Sequence, residues 1–278
     1  MKTFFTRLGS AIVFSILMIG GMTWTEHTYA ILWGVVGLGC TWEYLLHTFR
    51  KENAGYGFLP RVLLTITAML PYGFMVFDRF MADYRLPAPV YLFIYAACLL
   101  VALATEILRQ SQRPFLAVSQ AAIATVYVTT PMMALFYIGF IGGNFSYMWT
   151  LSIMLLIWCN DTMAYLIGWQ FGKRPFSPVI SPKKTWEGTI GGVICTVFAA
   201  LLISYAIPGI SVAGRMGIGL VIGVFATIGD LLESLWKRSI PIKDSGRIMP
   251  GHGGFLDRFD SFIFIAPFAA LLIYFLTL

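Results

Sequence analysis

Between residues 230 and 260 the chain crowds together acidic, basic, hydroxyl and glycine residues in a pattern that suits phosphate and metal chemistry. Thr227, Asp230, Glu233, Ser234 and Lys237 recur at helical spacings, so acidic, hydroxyl and basic groups share one stripe. Lys237-Arg238 and Lys243-Asp244-Ser245-Gly246 follow, then Pro250-Gly251-His252-Gly253-Gly254 and Asp257-Arg258-Phe259-Asp260. Asp257 and Asp260 are one helical turn apart, and both carboxylates can point the same way. Hard carboxylates grouped at one end of a site are what Mg²⁺ wants, with phosphate and water oxygens completing its octahedron. A glycine-rich turn ahead of a helix lets backbone N–H groups close on an anion, and Arg or Lys neutralises further phosphate charge. The bland alternative, a polar loop before a capped helix, leaves that density of acids, bases and glycines unexplained.

A second cluster is Ser181-Pro182-Lys183-Lys184-Thr185-Trp186-Glu187-Gly188. Its lysines and hydroxyls could grip a triphosphate, although Ser or Thr just ahead of Glu187 and Gly188 would equally cap a helix. It is not a P-loop, because GxxxxGK[ST] is absent and no strand is expected ahead of it. Asp161 stands alone in the apolar run LLIWCNDTMAYLIGW, roughly 12 Å along a helix from Trp169. A carboxylate at mid-membrane depth costs about 2.5–3.5 kcal/mol on insertion scales, which favours a functional role over a structural hydrogen bond to a neighbouring helix. Ala164 and Gly168 share its face and would let another helix come close.

The elements that carry these residues follow from composition. The chain has 278 residues, 58% apolar, 16% aromatic and 12% charged, with a net charge of +6. Soluble domains are about 25% charged, so a soluble fold, a disordered or collagenous chain and a nucleic-acid binder are all excluded. Continuous apolar stretches of about 17–25 residues read as helices, not as the alternating segments of a barrel. An all-α polytopic membrane protein of about nine transmembrane helices is expected, with spans near 8–24, 29–47, 60–77, 88–108, 115–140, 148–169, 188–207, 214–235 and 260–278. The fifth is the longest and is expected to tilt or break near Pro131. With this count, all of the 19 Lys and Arg residues except Arg79, Arg85 and Arg215 fall on one side. The positive-inside rule makes that side cytoplasmic, along with the N-terminus, and puts the C-terminus outside. Lys2 and Arg7 precede an apolar run with no small-residue cleavage site after it, which reads as an uncleaved first helix. Cys40, Cys98, Cys159 and Cys195 are scattered singly, suggesting neither a zinc site nor a disulfide frame. The chain divides into five helices over 1–147 and a motif-bearing region over 148–278 with two long cytoplasmic loops. No internal repeat supports an inverted-repeat transporter.

Ser234-x-x-Lys237-Arg238, Lys243-Asp244-x-Gly246 and Pro250-x-His252-Gly253-Gly254-x-x-Asp257-Arg258-x-Asp260 together resemble the signature of the phosphatidate cytidylyltransferases, also called CDP-diacylglycerol synthases. Asp161-Thr162-x-Ala164-Tyr165 and Ser181-Pro182-x-Lys184-Thr185-Trp186-Glu187-Gly188 are similar to that family's two earlier motifs. The resemblance covers about 158–261, and the first five spans match only in hydropathy. Trp236 and Met249 depart from the family's smaller or branched aliphatics, which touches packing and not chemistry. The resemblance implies that CTP and phosphatidic acid give CDP-diacylglycerol and pyrophosphate, with Mg²⁺ required and a second, monovalent cation left open. It implies Asp230, Asp257 and Asp260 as metal carboxylates, and Asp161, Lys184 and Lys237 as further catalytic groups. Ser181, Lys183, Thr185, Glu187, Ser234, Arg238, Lys243, Asp244, His252, Gly253, Gly254 and Arg258 would hold the nucleotide and its phosphates. A polar funnel between the sixth, eighth and ninth spans is expected, open to the cytosol and sideways to the inner leaflet. The implied setting is the bacterial inner membrane, with the active site facing the cytoplasm, membrane lipids as neighbours, no nucleic acid, and a homodimer by family analogy alone. The rivals are a CTP-dependent polyprenol or phytol kinase and a transporter of anionic lipids with Asp161 as its coupling site.

Overall fold

The structure is a computed structural model that describes residues 2–51, 57–111, 113–203, 209–246, 248 and 253–277. Among these residues nine long helices dominate. They are α1 (Lys2–Thr23), α2 (Glu26–Lys51), α3 (Phe58–Phe80), α4 (Ala88–Leu108), α5 (Phe115–Ile138), α6 (Met148–Phe171), α7 (Trp186–Ile203), α8 (Val212–Ser239) and α9 (Leu256–Thr277). Eight are long and apolar enough to cross a membrane, and α1 adds the shorter apolar run Gly9–Thr23. The protein is an all-α polytopic membrane protein, and each expected span finds its helix.

The helix ends differ from the hydropathy limits where they matter most. The eighth span is expected to stop at 235 and the ninth to start at 260, yet α8 runs on to Ser239 and α9 begins at Leu256. Backbone hydrogen bonding continues past the apolar window, so Lys237 and Asp257 are carried on helices, not on loops. The fifth helix is continuous through Pro131. Proline lacks an N–H and its ring crowds the turn before it. Here α5 widens into a π turn at Thr125–Thr129, where Thr130 N–H reaches back to Thr125 O. Thr129 Oγ1 donates to Ala68 O of α3 at 2.8 Å, tying the widened turn to its neighbour.

Helices α6 to α9 pack in chain order, and α2 and α5 close against α9. Small residues set the spacing. A Cβ on Gly188 would lie 2.6 Å from Ala164 O and 2.9 Å from Gly168 Cα, so α7 occupies the Ala164–Gly168 face. On its other side α7 meets α8, where a Cβ on Gly219 would lie 2.6 Å from Val197 Cα. Tyr29, Trp33, Phe136 and Phe259 are buried together where α2, α5 and α9 meet. The four cysteines are free, and Cys40 is buried as a packing residue.

One expectation is corrected. The segment ahead of α7 contains strands: β1 (Pro175–Ser177) pairs antiparallel with β2 (Ser181–Thr185), Pro175 opposite Thr185 and Ser177 opposite Ser181. Side chains hold the hairpin. Trp186 packs edge-on against Phe176 with ring centres 4.4 Å apart, and Glu187 Oε2 accepts from Lys173 N–H (3.0 Å) and Arg174 N–H (3.2 Å). Thr185 Oγ1 accepts from Gly188 N–H at 3.2 Å, the helix cap that the sequence allowed. The pattern GxxxxGK[ST] remains absent, so a strand here does not make a P-loop.

Candidate active site

Helix α8 presents Asp230, Glu233 and Lys237 at steps of one turn, and α9 presents Asp257 and Asp260 from its start. The two helices approach closely because Gly229 has no side chain: a Cβ there would lie 2.8 Å from Asp260 O and 3.1 Å from Ser261 Cα. That contact brings carboxylate oxygens of Asp230, Glu233 and Asp260 within 4.8 Å of one another. Glu233 is fully buried, and its Oε1 has no hydrogen-bond partner among the described residues. Grouped oxygens, one of them buried and unsatisfied, fit a hard divalent cation.

Cations surround the group. Lys184, delivered by β2, pairs with Asp230 Oδ2, and Lys237 pairs with Glu233. Ser234 Oγ stands 3.4 Å from Asp230 Oδ1. Asp161, on α6, has Asn160 beside it and lies within electrostatic range of Asp230, Lys184 and Arg258. Asp260 is in turn within range of Asp230, Asp161 and Lys237. Residues from α6, β2, α8 and α9 that are separated in the chain thus form one cluster of mixed charge.

Asp257, the third carboxylate that the resemblance implies for the metal, stands in the first turn of α9. Its Oδ1 holds Lys237 Nζ at 2.7 Å, while its Oδ2 accepts from Ser245 N–H (2.7 Å) and Gly254 N–H (2.8 Å). Those partners tie it to the loop before α9, while Glu233 lies with Asp230 and Asp260. Gly253 has a φ of +86°, and a Cβ there would also strike Asp257.

The remaining expected residues divide by exposure. Lys183, Arg238, Lys243, Asp244 and Arg258 are exposed, Ser181 is half-buried in β2, and Gly254 is buried. Thr185 and Glu187 serve the hairpin and the start of α7, as described above. His252 lies outside the described residues. Sequence reasoning passed over Glu43 and Ser245. Glu43 accepts from the Ser245 hydroxyl at 2.6 Å and from the first N–H groups of α9. It is a carboxylate inside an apolar span, the same signal that drew attention to Asp161.

Similarity to individual curated proteins covers about half of the chain. A protein of Staphylococcus aureus (strain COL) named phosphatidate cytidylyltransferase is 43% identical over 150 residues, covering 51% of this chain and 57% of that protein. Its namesake in Staphylococcus saprophyticus is 40% identical over 146 residues, covering 49% and 56%. The one in Staphylococcus haemolyticus is 43% identical over 124 residues, covering 44% and 48%. The chain therefore spans about half the length of the curated relatives it matches. The family match reaches much further, taking in the helices of the first half that bear no motif. Residues 3–276 fit the model of the cytidylyltransferase family, and the chain belongs to that family.

Proposed function

We propose that the protein transfers the cytidylyl group of CTP to phosphatidic acid, giving CDP-diacylglycerol and pyrophosphate. The observation that carries this reading is the meeting of three separate motifs in one cluster: Asp161 from α6, Lys184 from the hairpin, and Asp230, Glu233, Lys237 and Asp260 from α8 and α9. The name shared by the Staphylococcus relatives supports the same substrate pair. An apolar groove of about 890 Å³ between α1, α2 and the start of α9, floored by Phe255 and Phe259, supports a lipid acceptor over a soluble one. The basic loops favour a site at the cytoplasmic face of the bacterial inner membrane, where CTP is available.

The chemistry suits these residue types. A phosphate monoester has its second pKa near 6, so the lipid phosphate is mostly dianionic at neutral pH and needs no general base. One of its oxygens attacks the α-phosphorus of CTP, the bond to the β-phosphate oxygen breaks, and pyrophosphate leaves with the electron pair. The obstacle is repulsion between two anions. Transfer of this kind depends on positioning and charge stabilisation. Lys184 and Lys237 stand within the cluster to meet phosphate oxygens, and the exposed Lys183, Arg238, Lys243 and Arg258 extend the cationic surface. Asp230, Glu233 and Asp260 would hold Mg²⁺, which when bound neutralises phosphate charge.

Label transfer by the purified, detergent-solubilised protein tests the reading, with phosphatidic acid, Mg²⁺ and CTP labelled at either the α- or the γ-phosphate. Label is expected in the lipid from α-labelled CTP alone. Passage of γ label to an alcohol lipid would make the protein a kinase, and binding of CTP without transfer from either position would return the transport reading.

A further inference from the structure

Helix α2 supplies no residue to the reaction described above, yet two of its side chains, one turn apart, grip the loop that leads into α9. Glu43 is 7% exposed. Its Oε1 accepts from Phe255 N–H at 2.9 Å, and its Oε2 accepts from Leu256 N–H at 3.0 Å and from the Ser245 hydroxyl at 2.6 Å. A carboxylate placed there satisfies N–H groups that the start of a helix leaves without partners. His47 Nε2 stands 2.6 Å from Ser245 O. A carbonyl oxygen can only accept, so the imidazole proton is on Nε2 and His47 is the donor. Gly246 and Gly254 border the Glu43 carboxylate so closely that a Cβ on either would strike it. Two glycines of the motif are thus shaped by a residue about 200 positions earlier in the chain.

Ser245 is the joint between this grip and the cluster. It is 1% exposed, and its N–H donates to Asp257 Oδ2 at 2.7 Å. Asp257 Oδ1 holds Lys237 at 2.7 Å, and Lys237 pairs with Glu233. A continuous run of bonds therefore leads from Glu43 through Ser245, Asp257 and Lys237 to the carboxylate group. We propose that Glu43, supported by His47, is a positioning residue for the reaction. By fixing Ser245 and the first N–H groups of α9 it sets the orientation of Asp257, and through Asp257 the place of Lys237. The kinetic consequence rests on the cytidylyl-transfer reading; the positioning itself does not.

A carboxylate that merely capped α9 would change stability and rate together, whereas positioning acts on rate in protein that is still folded. Glu43→Gln separates the two, because it keeps the side chain's size while turning one accepting oxygen into an NH₂ group that faces donors. The full-length variant in detergent is compared with wild type by thermal melting, by kcat and KM for both substrates, and by amide hydrogen exchange in the peptide holding Phe255 and Leu256. The expected result is near-wild-type melting, faster exchange at that peptide, KM for phosphatidic acid within about twofold, and kcat lower by about ten- to a hundredfold, as small misplacements of reacting groups produce. Glu43→Gln combined with Ser245→Ala should cost less than the sum of the two single losses, since the bond between the two side chains is common to both. Should Glu43→Gln fold poorly, His47→Gln, which keeps a donor, should hold the wild-type rate, and His47→Ala should not. A wild-type kcat in Glu43→Gln, a loss of rate that only tracks the loss of folded protein, or unchanged exchange would overturn the proposal. If wild type itself moves no label from α-labelled CTP, the reaction reading falls, and the exchange measurement alone decides the positioning.

Discussion

Lys237 links the two carboxylate environments of the site, bonding Asp257 at 2.7 Å and pairing with the fully buried Glu233. Deleting one partner of a buried ion pair costs about 3–5 kcal/mol, because the other charge is left uncompensated. Lys237→Met should therefore lower the melting temperature in detergent as well as abolish turnover, whereas Lys237→Arg should restore melting more fully than rate. Melting like wild type in Lys237→Met would show that the pair contributes nothing to stability. Asp230→Asn and Asp260→Asn should reduce label transfer by about 10³-fold while the protein stays inserted and folded. Wild-type rates in both variants would remove these carboxylates from the site. Asp161 is legible in the sequence because an ionisable group in an apolar stretch is costly and something must compensate it, while Lys184, Asp230, Lys237 and Asp260 stand out by the spacing and density of polar residues around them. Glu43 carries the same signal as Asp161 but has no motif around it. Ser245 stands in plain view within the loop, but its importance depends on what α2 brings to it.

At the scale of the elements, the spacing of α8 and α9 decides whether Asp230 and Asp260 share a site. Gly229 sets that spacing, with no room for a Cβ beside Asp260 O and Ser261 Cα. Overpacking of this kind costs about 1–3 kcal/mol, so Gly229→Ala should lower melting and reduce the rate by more than the folded fraction explains. Gly217, on the same helix, has nothing within 4 Å of a Cβ, and Gly217→Ala should leave both measurements unchanged. Equal effects of the two substitutions would mean that helix contact at Gly229 has no special bearing on the site. Hydropathy locates every helix because burial of apolar surface in lipid sets their lengths. It misses the ends of α8 and α9, where polar residues continue a hydrogen-bonded helix beyond the apolar window. Pro131 marks the disturbance in α5, but its form, a π turn, depends on what Thr130 can reach. The hairpin is illegible for a similar reason: its strands are short and rich in proline, and the Phe176–Trp186 contact and Glu187 that hold it become neighbours only on folding.

Across the whole molecule, the half of the chain that carries the motifs leans on the half that does not. The nine-helix plan and the grouping of the motifs are readable from composition and spacing, while the contact of α2 with the start of α9 joins residues too far apart for any local pattern to report. That contact also has a timing. The groups that satisfy Glu43 lie 202 to 213 residues further along the chain. Ribosomes add about 5–20 residues per second, so α2 waits roughly 10–40 s after its own synthesis before those groups exist. During that interval the nascent protein holds a carboxylate near the membrane without its native donors, and it is then that a quality-control protease would find it. Chains cut short before Ser245 should be cleared quickly in cells, and Glu43→Leu should lengthen their lifetime while shortening that of the full-length protein. Equal lifetimes for the truncated chains with and without Glu43→Leu would show that the waiting carboxylate goes unnoticed.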